Sequence, residues 1–202
     1  MDIKASSIQA FLDDLAGPAA TPGGGSAAAL VGAFGAALIC MVCNLTIGRP
    51  RFAAAEDDLR AALVEAETLR RQLAALAEAD THAFNQVMAA YRLPQGGDKE
   101  AAIQSALKQA TQVPLETAIA CAAALRLVDR VIARINPNAL SDAGTAALLA
   151  EAGLRGAQFN VGINLAGIED AGFVQEARQA LARALEGAEQ ERERVAAYVL
   201  GA

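Results

Sequence analysis

The sequence predicts an all-α protein, a multi-helix bundle with one long helix and no β-sheet, formed by one domain over residues 1–202. Hydrophobic residues make up 54% of the chain and alanine is the commonest of them, whereas aromatic residues make up 4% and tryptophan is absent. Alanine is the strongest helix former. Apolar residues recur at intervals of three and four, and no segment alternates with the period of two that is typical of strands.

Seven helices are predicted, over residues 6–16, 26–47, 53–91, 98–112, 114–135, 141–166 and 173–200. Serine favours three of the N-termini, because its side chain can accept a hydrogen bond from a free N–H of the first turn: Ser6 or Ser7, Ser26 and Ser141. Pro114 is expected to be the first residue of the fifth helix, since proline fits a first turn without loss of a hydrogen bond. The last helix is predicted to be continuous and amphipathic.

The charge of the chain, its N-terminal residues and its cysteines indicate which binding partners and which cellular compartment to expect. The net charge is −6 without a cluster of lysine and arginine, so nucleic acid is not an expected partner. The N-terminal residues lack the basic segment and unbroken apolar core of a secretory signal, which predicts a cytoplasmic protein. Cys40, Cys43 and Cys121 are expected to be buried thiols, because the CxxC spacing of the first two lies inside an apolar helix rather than at a redox or zinc site.

Residues 21–48, TPGGGSAAALVGAFGAALICMVCNLTIG, carry no charge. Their length and small residues suit a membrane span, but an aromatic belt and N-terminal basic residues are missing, so we expect a central helix of a soluble bundle and no membrane contact. The glycines do not form a phosphate loop, because neither GxGxxG nor a following Lys-Ser/Thr is present. A glycine run that enters a helix lets backbone N–H groups approach a polar ligand closely; a flexible turn is the alternative.

An acidic residue interrupts the apolar stripe of the long third helix. The stripe proceeds in steps of three and four through Leu59, Leu63, Ala66, Leu69, Leu73, Leu76, Asp80, Ala83, Val87 and Tyr91. A carboxyl group on the core face must be paired, hydrogen-bonded or protonated, which makes Asp80 a candidate general acid or base, with a structural ion pair as the alternative. His82 points away from Asp80 and lacks partners at ligand spacing, so it is expected to be a surface or packing residue rather than a metal ligand.

One face of the sixth predicted helix combines small residues with amides. The face consists of Gly153, Gly156, Ala157, Asn160, Asn164 and Gly167. Such a face either admits a neighbouring helix closely or lines a pocket with amide donors and acceptors, and the sequence leaves both interpretations open.

Together these segments resemble the cyclodeaminase/cyclohydrolase family, which includes the C-terminal domain of formiminotransferase-cyclodeaminase and stand-alone bacterial methenyltetrahydrofolate cyclohydrolases. The similarity covers essentially the whole chain in order. It rests on residues 21–48, Asp80 with Ala83-Phe84 and Val87-Met88, the AYRLP segment 90–94, Val113-Pro114-Leu115, Asn138 with Ser141-Asp142, and Asn160-Val161 with Asn164-Leu165. Agreement of several spaced motifs is more specific than any one of them.

The resemblance implies an all-helical homodimer that binds a tetrahydrofolate derivative as its substrate and needs no metal or organic cofactor. It also implies a catalytic role for Asp80. The substrate-binding residues that it implies are Pro22, Gly23, Gly24, Gly25, Ser26, Arg49, Arg92, Pro94, Asn138, Ser141, Asp142, Asn160 and Asn164.

The implied activity is that of a methenyltetrahydrofolate cyclohydrolase, which hydrolyses 5,10-methenyltetrahydrofolate to 10-formyltetrahydrofolate in one-carbon metabolism. A partly buried carboxylate suits this reaction, because it attracts the cationic bridging carbon and can accept a proton from the attacking water. The single-domain length and the MVCNLTIG and AYRLP segments favour this activity over a formiminotetrahydrofolate cyclodeaminase, which releases ammonia.

The alternative from another class is a non-enzymatic helical oligomerisation module. The two hypotheses differ in geometry. An enzyme requires the PGGGS loop, Asp80, the Leu93-Pro94 turn and the Asn, Ser and Asp positions to line one cleft, whereas a non-enzymatic bundle would scatter them.

Overall fold

The computed structural model describes residue 3 and residues 6–201, and this part of the chain is mainly helical and contains no strand. Its α-helices are α1 Ile8–Leu15, α2 Gly24–Asn44, α3 Glu56–Tyr91, α4 Gly97–Val131, α5 Leu140–Leu165, α6 Ala171–Leu185 and α7 Ala188–Leu200. Short 3-10 helices occupy Pro50–Ala55, Ile132–Arg134 and Pro137–Ala139. The predicted fold class is confirmed, and the expected long helix is α3, with 36 residues.

Helices α2 to α5 form the core of the bundle, and glycine determines how closely α2 approaches its neighbours. A Cβ atom on Gly32 of α2 would lie 2.4 Å from the sulfur of Cys121 in α4. A Cβ atom on Gly153 of α5 would lie 2.9 Å from the carbonyl oxygen of Ala28 in α2. Both distances are too short for a side chain, so the close crossing of these helices requires glycine.

Helix α2 is the one described helix that is long and apolar enough to cross a membrane. In its most apolar 18-residue window, 61% of the residues are buried inside the bundle. Ile39, Val42 and Cys43 are completely buried. This burial is typical of a central helix in a bundle, as the sequence predicts.

The prediction of separate helices over residues 98–112 and 114–135 is wrong. Both belong to α4, and Pro114 lies in the interior of that helix. Pro114 cannot donate to the carbonyl of Ala110 one turn earlier, but Asn164 Nδ2 of α5 donates to that oxygen at 2.8 Å. The helix therefore continues through the proline because a neighbouring helix supplies the missing donor.

The prediction of one continuous C-terminal helix over residues 173–200 is also wrong. The chain forms α6 and α7, with Gly187 between them in a left-handed conformation at φ 76°. This φ favours glycine and ends α6, and the following helix α7 packs against α4 and α5. Apolar periodicity continues across such a turn and therefore does not reveal it.

The serine caps are only partly as predicted. Ser7 is the N-cap of α1, and its hydroxyl accepts a backbone N–H of the first turn at 3.1 Å. Ser26, in contrast, lies inside the first turn of α2, whose N-cap is Gly23, and Ser141 follows Ala139, the N-cap of α5. The Ser26 hydroxyl is directed across the bundle to a carboxylate of α3, so it is not available to cap its own helix.

The three cysteines are free and buried, as predicted. Burial raises the pKa of the Cys43 thiol to about 11 and that of the Cys121 thiol to about 12. The same effect raises the pKa of the Cys40 thiol to about 12. All three thiols are therefore protonated at neutral pH, which does not fit a reactive CxxC pair.

Candidate active site

A cavity of about 290 Å³ opens where the N-terminus of α2 meets the C-terminal half of α3 and the C-terminal half of α5. It is lined by Ala20, Thr21, Gly23, Gly24, Gly25, Asp80, Ala83, Phe84, Val87, Leu107, Ala110, Asn160 and Asn164. All four core helices and the loop after α1 contribute to it. It combines one carboxyl group and two amides with an apolar wall, as small-molecule sites commonly do.

Asp80 is held by the first turn of α2. The Ser26 hydroxyl donates to Asp80 Oδ2 at 2.8 Å, and the Ser26 backbone N–H favours the ionised form of the same carboxyl group. Ser26 is fully buried, and its hydroxyl lies 3.3 Å from Thr81 Oγ1. Because Gly23 has no side chain with which to cap α2, Asp80 supplies the negative charge that a helix N-terminus favours.

Gly25 allows this arrangement because it has no side chain. A Cβ atom at this position would lie 2.1 Å from Asp80 Oδ1 and 2.6 Å from Asp80 Cγ. The glycine run therefore brings its backbone against a carboxylate of the protein itself, at the edge of the cavity. A side chain at Gly25 would therefore require the Asp80 carboxyl group or the start of α2 to move.

Burial raises the pKa of the Asp80 carboxyl group above its ordinary value, and the hydrogen bonds from Ser26 oppose this shift in part. Among the residues that the structure describes, no side chain donates to Asp80 Oδ1. Oδ2 is thus held by the Ser26 hydroxyl, whereas Oδ1 lies against Gly25 without a side-chain donor. A carboxyl group whose pKa is raised accepts a proton more readily than an ordinary carboxyl group and can return it in a later step.

Two amides of α5 complete the polar part of the cavity. Asn160 Nδ2 donates to the carbonyl of Gly156 at 3.0 Å, and Asn164 Nδ2 donates to the carbonyl of Ala110 at 2.8 Å. Each amide is therefore anchored by its nitrogen. Both interpretations of the small and amide face hold, at different positions: the glycines admit α2 closely, while Asn160 and Asn164 line the cavity.

The apolar wall consists of residues outside the predicted set of substrate-binding residues. Phe84 and Val87 follow Asp80 along one stripe of α3, so helical spacing from the carboxyl group identifies them. Leu107 and Ala110 come from α4, and only the packing of α4 beside α3 and α5 places them here.

The cavity brings together about half of the predicted site residues. Gly23, Gly24, Gly25, Asp80, Asn160 and Asn164 line it, Ser26 binds Asp80 from behind, and Pro22 is buried in the adjoining loop. Arg92 and Pro94 are exposed beyond the end of α3. From Asp80 to Arg92 the helix rises about 18 Å, at about 1.5 Å per residue.

The other predicted residues lie at the opposite end of the bundle. Arg49 follows the C-terminus of α2, while Asn138, Ser141 and Asp142 surround the N-terminus of α5. Ser141 and Asn160 are separated by about 28 Å along α5, at about 1.5 Å per residue. Within a single chain these residues do not line the cavity, whereas the glycine loop, the carboxyl group and the two amides do.

The described residues contain no group of three or more His, Cys, Asp or Glu side chains that could hold a metal ion. His82 is exposed, as expected, and its Nε2 lies 3.0 Å from Nε2 of Gln86.

Comparisons with known proteins identify similar chains. Residues 7–183 match the family model described as formiminotransferase-cyclodeaminase. The chain is 48% identical over 174 residues to the methenyltetrahydrofolate cyclohydrolase of Methylorubrum extorquens, and the match covers 84% of each protein. It is 35% identical over 201 residues to the formimidoyltransferase-cyclodeaminase of Rattus norvegicus, of which it spans 36%. Among solved structures, the formiminotetrahydrofolate cyclodeaminase of Thermotoga maritima has a TM-score of 0.91 at 30% identity, with 98% of both chains covered.

Proposed function

This chain belongs to the formiminotransferase-cyclodeaminase family, and on that premise we propose that it is a methenyltetrahydrofolate cyclohydrolase, which hydrolyses 5,10-methenyltetrahydrofolate to 10-formyltetrahydrofolate. The observation that carries this proposal is the Asp80 carboxyl group, held by Ser26 on the wall of a cavity between four helices. The identity of 48% to a cyclohydrolase over most of both chains favours this activity over that of the more distant cyclodeaminases.

The first step is the addition of water to the substrate. The methenyl carbon shares a positive charge with the two nitrogens that it bridges, and the ionised Asp80 attracts this charge in a site partly withdrawn from solvent. The water oxygen forms a bond to the methenyl carbon, while the Asp80 carboxylate accepts one of the water protons. The product of this step is a neutral ring that carries a hydroxyl group on the bridging carbon.

The second step opens the ring. Asp80 returns the proton to N5, and the bond between N5 and the bridging carbon breaks with its electron pair on N5. The hydroxyl proton leaves as the carbonyl forms, so that the formyl group remains on N10 and one proton is released overall. Ionised Asp80 is restored for the next turnover.

The remaining cavity residues bind and orient the substrate. Phe84, Val87 and Leu107 form an apolar wall for the pterin ring, and the amides of Asn160 and Asn164 supply polar contacts. This mechanism uses no metal or organic cofactor. We therefore expect dialysis against EDTA to leave the rate of hydrolysis unchanged, and a rate restored only by added metal would contradict this part of the proposal.

Paired assays distinguish the two activities of the family. One follows the loss of the methenyl chromophore, corrected for the uncatalysed rate, and the other follows ammonia release from formiminotetrahydrofolate. We expect activity in the first assay and little in the second. The reverse result would identify a cyclodeaminase, the second candidate, which the TM-score of 0.91 to the enzyme of Thermotoga maritima favours.

We further propose that the enzyme is a homodimer. Helices α2 and α5 pack together, and both carry exposed large apolar side chains: Phe34 and Met41 on α2 with Leu45 just after its C-terminus, and Leu148, Phe159 and Ile163 on α5. Exposed apolar side chains on two packed helices favour an interaction site, and in the proposed dimer a second copy covers them with an identical surface. We propose a cytoplasmic location, which the three free thiols support, and no partnership with nucleic acid or membrane.

A further inference from the structure

The proline inside α4 leaves one carbonyl group for α5 to bind. In a regular helix the N–H of residue 114 would donate to the carbonyl of residue 110, but Pro114 has no N–H. Asn164 Nδ2 donates to that Ala110 oxygen at 2.8 Å. Pro114 is buried, while Ala110 and Asn164 both line the cavity. The hydrogen bond that Pro114 removes from α4 is thus replaced by one from Asn164, a polar residue of the cavity.

This hydrogen bond determines which end of the Asn164 amide remains available. The amide is planar, so a nitrogen that is held by Ala110 also sets the position of Oδ1. No described residue donates a hydrogen bond to Asn164 Oδ1. Asn160 differs, because its nitrogen binds the carbonyl of Gly156 in its own helix. Of these two amides, Asn164 is the one whose hydrogen bond goes to a carbonyl that a proline leaves free in another helix.

We propose that Pro114 is a positioning residue: by freeing the carbonyl of Ala110, it holds the Asn164 amide so that Oδ1 accepts a hydrogen bond from an N–H group of the substrate's pterin ring. The identity of the substrate rests on the proposed function. The dependence of the Asn164 orientation on Pro114 is separate from the proposed function, because it follows from the hydrogen bond between α4 and α5.

The kinetic test uses Pro114→Ala, which restores a helical N–H that donates to Ala110. We expect the KM for methenyltetrahydrofolate to rise about threefold to tenfold, the scale of one hydrogen bond, with kcat within about twofold. Asn164→Ala should raise KM at least as much. In the double variant the proline substitution should have no additional effect, because Pro114 acts only through the amide. Circular dichroism and thermal melts establish that each variant is folded.

A second measurement needs no substrate. In protein labelled with nitrogen-15, the side-chain amide protons of Asn164 should exchange slowly with solvent, and Pro114→Ala should make them exchange faster. An unchanged KM with unchanged exchange, or additive KM effects in the double variant, would overturn the positioning role. Faster exchange in Pro114→Ala, in an enzyme whose wild type does not hydrolyse methenyltetrahydrofolate, would refute the proposed substrate and leave the link between Pro114 and Asn164 intact.

Discussion

Asp80 occupies an apolar stripe of α3 because the first turn of α2 provides hydrogen bonds that replace part of its hydration. The arrangement satisfies two requirements at once. The N-terminus of α2 lacks a side-chain cap and gains a negative charge, while the carboxyl group is fixed at the cavity wall. The same position of Asp80 therefore serves both to stabilise the N-terminus of α2 and to present the carboxyl group for the proposed catalysis.

Asp80→Asn tests the catalytic role, because it keeps the size of the side chain and removes the proton acceptor. We expect kcat/KM to fall by at least about 10²-fold, the usual scale for the loss of a general acid or base, in a protein with an unchanged circular dichroism spectrum. The matched control is Ser26→Ala, which keeps the carboxyl group and loses one hydrogen bond, and it should lose much less activity. Unchanged turnover by Asp80→Asn would remove Asp80 from the mechanism.

The raised pKa of Asp80 predicts the pH dependence of both activity and stability. Activity requires the ionised form, so kcat/KM should fall with decreasing pH through a value above the ordinary carboxyl pKa of about 4. The folded state binds this proton more tightly than the unfolded state, so the stability contributed by Asp80 is present below the unfolded pKa and is lost as pH rises through the folded pKa. As pH rises from the unfolded pKa to the folded pKa of Asp80, the Tm of the wild type should therefore fall relative to the Tm of Asp80→Asn. A constant difference in Tm would contradict the raised pKa.

Gly25→Ala tests the contact between the glycine run and the carboxyl group. The added Cβ would lie 2.1 Å from Asp80 Oδ1, so the carboxyl group or the start of α2 must move. We expect a loss of about 1–3 kcal/mol in unfolding free energy, as for other overpacked sites, and at least a tenfold lower kcat/KM. In Gly24→Ala the nearest atom would be 3.9 Å away, so its unfolding free energy should change by less than about 0.5 kcal/mol. Equal effects of both variants would show that the contact is unimportant.

At the scale of the element, α5 serves two purposes along one face. Its glycines Gly153 and Gly156 face α2, and its amides Asn160 and Asn164 face the cavity. Close packing of α2 against α5 is therefore what brings the glycine loop within reach of the amides. Helix α4 contributes to the same region, because Pro114 frees a carbonyl that anchors Asn164.

Gly153→Ala and Gly162→Ala compare two glycines of the same helix. The Cβ of the first would lie 2.8 Å from the Cys121 sulfur and 2.9 Å from the Ala28 carbonyl, whereas the Cβ of the second would have no atom within 4 Å. We expect Gly153→Ala to lower the unfolding free energy by about 1–3 kcal/mol, and Gly162→Ala to raise it by up to about 1 kcal/mol through helix propensity. Denaturant unfolding measures both. Destabilisation by both to the same extent would contradict the packing argument.

At the scale of the whole molecule, the predicted site residues occupy two ends of one bundle. The glycine loop, Asp80 and the α5 amides form the cavity, while Arg49, Asn138 and Ser141 lie at the far end. An isologous contact between antiparallel α2 helices would place one end of each subunit beside the opposite end of its partner. The apolar faces of α2 and α5 extend between these two ends.

Phe34→Glu tests the proposed dimer, because Phe34 is 50% exposed in the middle of α2, on the proposed contact surface. A charge there cannot be buried without a large penalty, so the variant should sediment as a monomer while wild type sediments as a dimer. The matched control is Val64→Glu, which changes a residue 68% exposed on α3 and should remain dimeric. Dissociation of both variants, or of neither, would place the interface elsewhere.

The success of the sequence predictions depends on the range of the interactions that decide each feature. Helix content, the long α3 and the position of Asp80 on its apolar stripe follow from local propensity and periodicity. The continuous α4 could not be predicted in this way, because the donor that replaces the Pro114 N–H comes from α5. Ser26 was misassigned as a cap for the same reason, since its partner lies on α3.

The sequence by itself determined that this chain is a helical bundle, that one carboxyl group faces its interior and that its motifs resemble one family of folate enzymes. Only the tertiary structure decided which of those motifs meet. The close approach of α2 to α3 and α5 depends on glycines and on hydrogen bonds between residues more than fifty positions apart, as between Ser26 and Asp80. Local periodicity carries no information about such distant pairs, and so the cavity emerges only when the helices pack.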